Sequence, residues 1–180
     1  HYVGRRLKGS AGAEARAYLT RRGCRPESIE EVGLGYAERG GQALVRALEK
    51  QGYKGEEMEE SGLILRRTDG SGFFDRFRNR LMFPIRNPKG ETIGFGARVF
   101  GDEKPKYLNS PETPVFSKGR ELYGLFEAHT AVREAGLVLV TEGYMDVIAL
   151  AQNGFAHSVA TLGTACTAEH IRILFRVTDA

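Results

Sequence analysis

Leu137-Val138-Leu139-Val140-Thr141 runs directly into Glu142-Gly143-Tyr144-Met145-Asp146 and then into an apolar helix. Four apolar residues and a threonine, without polar alternation, read as a buried-type strand of a parallel sheet. Glu142 then sits at the carboxyl end of that strand, where open α/β sheets place their ligands. Gly143 lets the backbone turn sharply, and a second carboxylate, Asp146, follows Glu142 by four residues. Two readings stand at this point. The carboxylates hold a hard cation through oxygen, or Asp146 only favours the positive end of a helix dipole while Glu142 is solvated.

Outward from this turn the texture stays α/β. A helix from Leu125 to Ala135 is closed by Gly136, and another covers Met145–Gln152. A short strand, Ser158–Thr161, follows, and Thr167 is placed to cap a last helix from His170 to Arg176. The order helix–strand–helix–strand–helix implies parallel strands with right-handed crossovers. The chain closes on Val177-Thr178-Asp179-Ala180, where the alternation calls for another strand, so both ends read as cuts in a longer chain.

Upstream the pattern differs. Residues 1–62 read as helical: a Ser10-capped run to Gly23, a short helix after Pro26, a third over Ala43–Gln51 and an acidic one over Glu56–Glu60. Residues 63–122 are rich in strands and loops. Leu81-Met82-Phe83-Pro84-Ile85 and Thr92-Ile93-Gly94-Phe95-Gly96-Ala97-Arg98-Val99 form an antiparallel hairpin about the Asn87-Pro88-Lys89-Gly90 turn. The glycines of its second strand imply that something approaches the backbone closely. The fold class expected is therefore α/β: an α+β basic subdomain over 1–122, followed by a truncated parallel α/β unit over 123–180.

The net charge of +3 conceals an asymmetry. Residues 1–65 hold eleven Lys/Arg against ten Asp/Glu, residues 66–120 twelve against six, and residues 121–180 three against seven. A basic block beside an acidic one suits a polyanion held next to cations, although a solvated basic face gives the same count. Within the basic block Arg76, Arg78 and Arg80 alternate, so an extended segment would put them on one face with Phe77 on the other. Three such guanidiniums suit phosphate, and a charged edge strand is the structural alternative.

Several classes are excluded. No apolar run is long enough to span a bilayer and no signal peptide is visible. Cys24 and Cys166 form no CxxC pair, which points to reduced thiols in a cytoplasmic protein without zinc in this segment. Gly33-Leu34-Gly35 and Gly94-Phe95-Gly96 lack the third glycine of a dinucleotide fingerprint, and no GxxxxGK[ST], HExxH or GxSxG motif occurs. His170 reads as surface or core and Cys166 as structural. Tyr144 is either a turn filler or a stacking platform for a base.

Taken together, Asp75-Arg76-Phe77-Arg78-Asn79-Arg80-Leu81-Met82-Phe83-Pro84-Ile85, Gly94-Phe95-Gly96-Ala97-Arg98, Pro105-Lys106-Tyr107-Leu108-Asn109-Ser110-Pro111-Glu112-Thr113, Phe116-Ser117-Lys118-Gly119 and Glu142-Gly143-Tyr144-Met145-Asp146 resemble the RNA polymerase core of bacterial DnaG-type primases. The resemblance covers nearly the whole chain and is closest from Asp75 onward. It implies templated RNA primer synthesis on single-stranded DNA, with Mg²⁺ or Mn²⁺, by a basic subdomain joined to a TOPRIM fold. It also implies Glu142 as metal ligand and acid/base, and Asp146 in the same acidic cluster. Arg22, Arg76, Arg78, Arg98, Lys106, Asn109 and Lys118 fall in the template- and nucleotide-contacting groove of that family.

The partners implied are single-stranded DNA template, ribonucleoside triphosphates, the RNA primer and a replicative helicase bound through a carboxy-terminal module outside this chain; no membrane is implied. Zinc belongs to an amino-terminal module, also outside it. The Asp-x-Asp pair of the TOPRIM pattern lies past the last residue, and Asp179 is too close to the preceding helix to serve. The segment alone is therefore expected to be inactive. A TOPRIM nuclease or topoisomerase, or a non-catalytic single-strand binding module, are the rival readings.

Overall fold

The computed structural model describes residues 1–178. Helix α1 (Tyr2–Lys8) leads through a 3₁₀ turn at Ser10–Gly12 into α2 (Ala13–Arg21), and α3 (Pro26–Glu31) precedes strand β1 (Gly35–Ala37). Helices α4 (Ala43–Glu49) and α5 (Gly55–Glu60) are followed by the hairpin of β2 (Ile64–Arg66) and β3 (Phe73–Asp75). Then come β4 (Arg80–Arg86), β5 (Thr92–Arg98) and β6 (Tyr107–Asn109). The last third is α6 (Leu125–Ala135), β7 (Leu139–Thr141), α7 (Tyr144–Gln152), β8 (Ser158–Ala160) and α8 (Ala168–Leu174).

The central antiparallel sheet has the order β1-β4-β5-β6. β4 and β5 are the long pair, Leu81 opposite Arg98 through Ile85 opposite Gly94, and their connection is the turn expected at residues 87–90. Pro84 lies inside β4, where it gives up one ladder donor. β1 extends the sheet on one side, with Gly35 paired to Met82, and α1 lies against it. Gly35 makes that approach possible, since a Cβ there would stand 2.6 Å from Val3 Cβ. Neither α1 nor β1 is apparent in the sequence: α1 carries three basic residues and a glycine, and buries only Leu7 fully.

The parallel unit is built as expected. β7 and β8 pair in parallel, Leu139 with Ser158 and Thr141 with Ala160, with α7 as the crossover. On the far side of β8, Tyr123 exchanges backbone hydrogen bonds with Ala160. Gly136 closes α6 in a left-handed conformation (φ 66°) with its N–H on Val132. At α8, the Thr167 hydroxyl accepts the His170 N–H at 3.0 Å, while His170 Nδ1 accepts the Thr167 N–H at 3.1 Å. β7 is less buried than its composition implies: Val140 is 43% exposed. Among the described residues the strand has one neighbour, β8, and its other edge is open.

One apolar cluster unites the two parts. It runs from Leu7 and Leu19 through Tyr36, Leu81, Phe83 and Ile85 to Tyr123, Tyr144, Ile148 and Leu162. Polar ties reinforce it. Gln152 at the end of α7 accepts the Arg25 N–H at 2.7 Å and donates to the Gly23 carbonyl at 3.0 Å. The Arg86 guanidinium on β4 pairs with Glu127 on α6. A smaller cluster of Val45, Met58 and Ile64 lies beneath α4, α5 and the β2–β3 hairpin.

Candidate functional site

The basic side of the molecule starts where β3 leads into β4. Asn79 has a left-handed backbone (φ 49°), tolerable for asparagine and an interruption of strict alternation. Its Oδ1 accepts from Tyr36 Oη at 3.1 Å and from Arg39 Nε at 3.2 Å. Arg76, Arg78 and Arg80 nevertheless line one open basin of about 570 Å³, together with Arg39, Asn79, Glu103, Lys104, Pro105 and Leu108. Phe77 points away into the core, 3% exposed. The shared face expected of the three arginines is present, although residues 76–79 lie outside any strand.

Two arginines of the basin are partly desolvated. Burial lowers the pKa of Arg76, whose Nη2 donates to the Asn109 carbonyl at 3.0 Å and whose Nε has no partner. Burial also lowers that of Arg80, against which Glu103 pulls upward and Arg78 further down. Among the described residues neither Arg76 nor Arg78 has a carboxylate within ion-pair distance. Arg76 and Arg78, without a carboxylate partner, are a place for bidentate phosphate contacts.

Beside the basin lies an aromatic and cationic surface. The Arg98 guanidinium stands 4.9 Å from the Tyr18 ring and 5.7 Å from the Tyr107 ring. Lys106 Nζ is 6.0 Å from the Tyr107 ring, itself 42% exposed. Cations interleaved with an exposed ring suit a nucleic-acid strand, phosphates on the cations and a base on the ring. Arg22 ends α2 one turn beyond Tyr18 and is exposed. Lys118 is half-buried in the loop before α6, and its carbonyl meets His170 Nε2 at 3.1 Å. Neither Arg22 nor Lys118 lines the basin.

The acidic corner is at the carboxyl end of β7. Glu142 and Asp146 are both exposed, and among the described residues neither is engaged in a hydrogen bond or ion pair. Asp146 curls back over the turn: a Cβ on Gly143 would stand 2.7 Å from Asp146 Oδ2. Two unengaged carboxylates are a hard-oxygen donor set, which fits a divalent cation of the Mg²⁺ type that keeps several waters and takes one or two carboxylates plus phosphate. Among the described residues no third acidic, histidine or cysteine side chain completes a cluster around them. Asp179 lies outside the described residues.

Tyr144 connects the two sides. It is 5% exposed and lies across a row of register partners, Phe83, Gly96 and Asn109, on β4, β5 and β6. Its ring stacks on Phe83 at 5.0 Å and 16°, meets Tyr123 edge-on at 4.8 Å, and donates its hydroxyl proton to Asn109 Oδ1. Burial raises its pKa well above the usual tyrosine value. Both options for Tyr144 left open by the sequence therefore give way to a buried ring stacked on protein. Asn109 Nδ2 donates to the Leu162 carbonyl at 2.9 Å, so the amide oxygen and one of the two amide N–H groups are engaged within the chain.

The family model for the N-terminal domain of the DNA primase catalytic core matches residues 2–129. The chain belongs to this primase family. A Toprim domain model matches residues 136–179. The DNA primase of Neisseria meningitidis (serogroup A) is 54% identical over 167 residues, covering 92% of this chain, which spans 28% of that protein's length. The RNA polymerase domain of Mycobacterium tuberculosis primase DnaG superposes with a TM-score of 0.92 at 35% identity, over 98% of this chain and 57% of that one. A DnaG primase catalytic domain bound to ssDNA gives 0.91 at 44% identity, over 98% of this chain and 57% of that one.

The helical first part, the antiparallel sheet and the parallel β7–β8 unit are thus those of a primase core, and the fold class read from the sequence holds. Arg39, Arg80 and Lys104 line the basin and are additional to the residues carried over by resemblance. Alternation with Arg76 and Arg78 pointed to Arg80, and the charge block pointed to Lys104. Nothing in the near-neutral first third singled out Arg39, which reaches the basin from the segment after β1 and is paired there with Glu14 at 2.7 Å.

Proposed function

We propose that the protein of which this chain is a part synthesises RNA primers on a single-stranded DNA template, by divalent-metal-dependent nucleotidyl transfer. The observation that carries this reading is the junction of an acidic turn and a basin whose Arg76 and Arg78 have no carboxylate partner among the described residues, within a primase core and joined through Tyr144 and Asn109. The ssDNA in the structure of a related catalytic domain supports the choice of template.

Each group then has a task. Arg76, Arg78, Arg98 and Lys106 take the phosphates of template and incoming ribonucleotides, with Arg22 and Lys118 flanking and Asn109 at the junction. Such contacts hold a strand without reading its sequence. Glu142 is the metal ligand of the acidic corner, and Asp146 supports the same charge. When bound there, Mg²⁺ or Mn²⁺ would supply charge neutralisation at the reacting phosphate and a lowered pKa at the attacking hydroxyl. Glu142 and Asp146, exposed and unengaged, would hold that cation and are free to hold a proton at a carboxylate oxygen.

The division into a basic subdomain over 1–122 and a TOPRIM unit over 123–180 belongs to the same reading. So do a cytoplasmic, nucleoid-associated location, a replicative helicase partner and a zinc module contributed by other parts of the protein, and inactivity of this segment alone. The test is incubation of the full-length protein with a single-stranded template, ribonucleoside triphosphates and Mg²⁺. Short RNA that disappears with chelator or without template supports the proposal. Cleavage of supercoiled DNA without RNA synthesis would replace it with nuclease or topoisomerase chemistry.

A further inference from the structure

Asn109 lies in the basic half by sequence, yet its side chain faces the parallel unit. Its Oδ1 accepts from Tyr144, two residues after Glu142, and its Nδ2 donates to Leu162, two residues after β8. The carboxyl ends of both parallel strands are therefore pinned on one amide. Gly163 packs on the same group, where a Cβ would stand 3.4 Å from Asn109 Nδ2. On its other side the Asn109 carbonyl takes the half-buried guanidinium of Arg76, which lines the basin. Gly96, between Phe83 and Asn109 in the strand row, leaves the backbone bare where the Tyr144 ring passes.

We propose that Tyr144 and Asn109 are a positioning pair which fixes the acidic turn carrying Glu142 at a set distance from the arginine basin, and that Asn109 acts through this contact and not as a DNA ligand. This rests on the primer-synthesis reading given above, and deepens it. The Tyr144 hydroxyl proton is committed to Asn109, and the Asn109 amide commits its oxygen and one of its two N–H groups within the chain, which holds the side chain towards the parallel unit. Both lie next to the cation-binding turn, so a small displacement there changes reacting geometry more than affinity.

The test uses the full-length protein carrying Tyr144→Phe, Asn109→Ala or both. Three quantities are read: ssDNA dissociation constant, primer synthesis rate against Mg²⁺ concentration, and Mn²⁺ affinity by electron paramagnetic resonance, with Glu142→Gln marking the Mn²⁺ signal that belongs to the acidic turn. Each single variant is expected to keep the ssDNA dissociation constant within about twofold, to need more Mg²⁺ for half-maximal rate, and to lose on the order of 10- to 100-fold in rate. Mn²⁺ affinity at the Glu142-dependent site falls in parallel. The double variant is no worse than the poorer single one, because both remove the same contact.

Weaker ssDNA binding by Asn109→Ala, matching that of Arg78→Ala, would overturn the proposal and make Asn109 a strand contact. Unchanged Mg²⁺ and Mn²⁺ dependence in Tyr144→Phe would overturn it as well. If the wild-type protein makes no primer, the functional reading fails, and the Mn²⁺ titration still decides whether the pair positions the acidic turn.

Discussion

The Tyr144 ring passes directly over Gly96, so close that a Cβ on that glycine would overlap it. The contact explains why a strand in the middle of a four-stranded sheet carries glycine, which weakens strands elsewhere. Gly96→Ala forces Tyr144 off Phe83 and Tyr123, two ring contacts worth about 0.5–1.5 kcal/mol each, in a layer without room to give. The variant is expected to lose at least about 2 kcal/mol of stability, read from the midpoint of chemical denaturation. Gly101→Ala, where a Cβ meets nothing within 4 Å, is the control expected to be near neutral.

Asp75 is 3% exposed and accepts the backbone N–H groups of Leu44 at 3.0 Å and Val45 at 2.9 Å. It thereby caps α4 from a neighbouring strand. Asp75→Ala leaves both donors buried without partners, a loss of about 2–4 kcal/mol. Asp75→Asn restores at most one of them. Amide hydrogen exchange should accelerate over α4 and the β2–β3 hairpin first, since these share the small Val45–Met58–Ile64 cluster.

Burial holds the Glu121 carboxyl above its usual value of 4.5, with Arg120 and His170 pulling the other way. A carboxyl raised in the folded state binds its proton more tightly there than in the unfolded chain. Its contribution to stability is complete below the unfolded pKa and is lost as pH rises through the folded one. Glu121→Gln cannot ionise, so it is expected to be more stable than wild type near about pH 7.5, with the gap closing as the pH falls to about 4. Denaturation midpoints across that range check it; a gap that widens towards acid contradicts the sign.

Charge on the basic face acts through counter-ion release. Loss of Arg78, Arg98 or Lys106 should weaken ssDNA binding uniformly across sequences and reduce the slope of log K against log salt by about 0.7 for each phosphate contact removed. Fluorescence anisotropy at several salt concentrations measures this. Arg98→Lys keeps the charge and loses the flat contacts with Tyr18 and Tyr107, so it should preserve the slope better than the affinity.

The parallel unit was legible because its signals are local. An apolar strand, a glycine turn, a Gly136 stop and a Thr167 cap each announce themselves within a few residues; the turn, the stop and the cap stand where expected, while the strand is confined to Leu139–Thr141 and the capped helix starts at Ala168. The β4–β5 hairpin was legible for the same reason. α1 and β1 were not: their pairing depends on Val3 meeting Gly35, a contact across more than thirty residues with little amphipathic pattern on either side. The exposure of Val140 likewise follows from which strands flank β7, which composition does not record.

At the site the residue types were readable and the connections were not. Alternation gave the Arg76–Arg80 face, and the glycines of β5 signalled a close approach. That the approaching group is Tyr144, and that its hydroxyl meets the Asn109 amide, comes from the register of three strands. Arg39 is held at the basin by a residue far from it in sequence, Asn79, whose Oδ1 accepts from its Nε.

The proposed reaction divides binding, on the basin, from chemistry, at the acidic turn. The most direct measurement is primer synthesis and ssDNA affinity of the full-length protein with Glu142→Gln, side by side with wild type. Synthesis should fall by at least on the order of a hundredfold while the ssDNA dissociation constant stays within about twofold. Synthesis at the wild-type rate with Glu142→Gln would contradict the account.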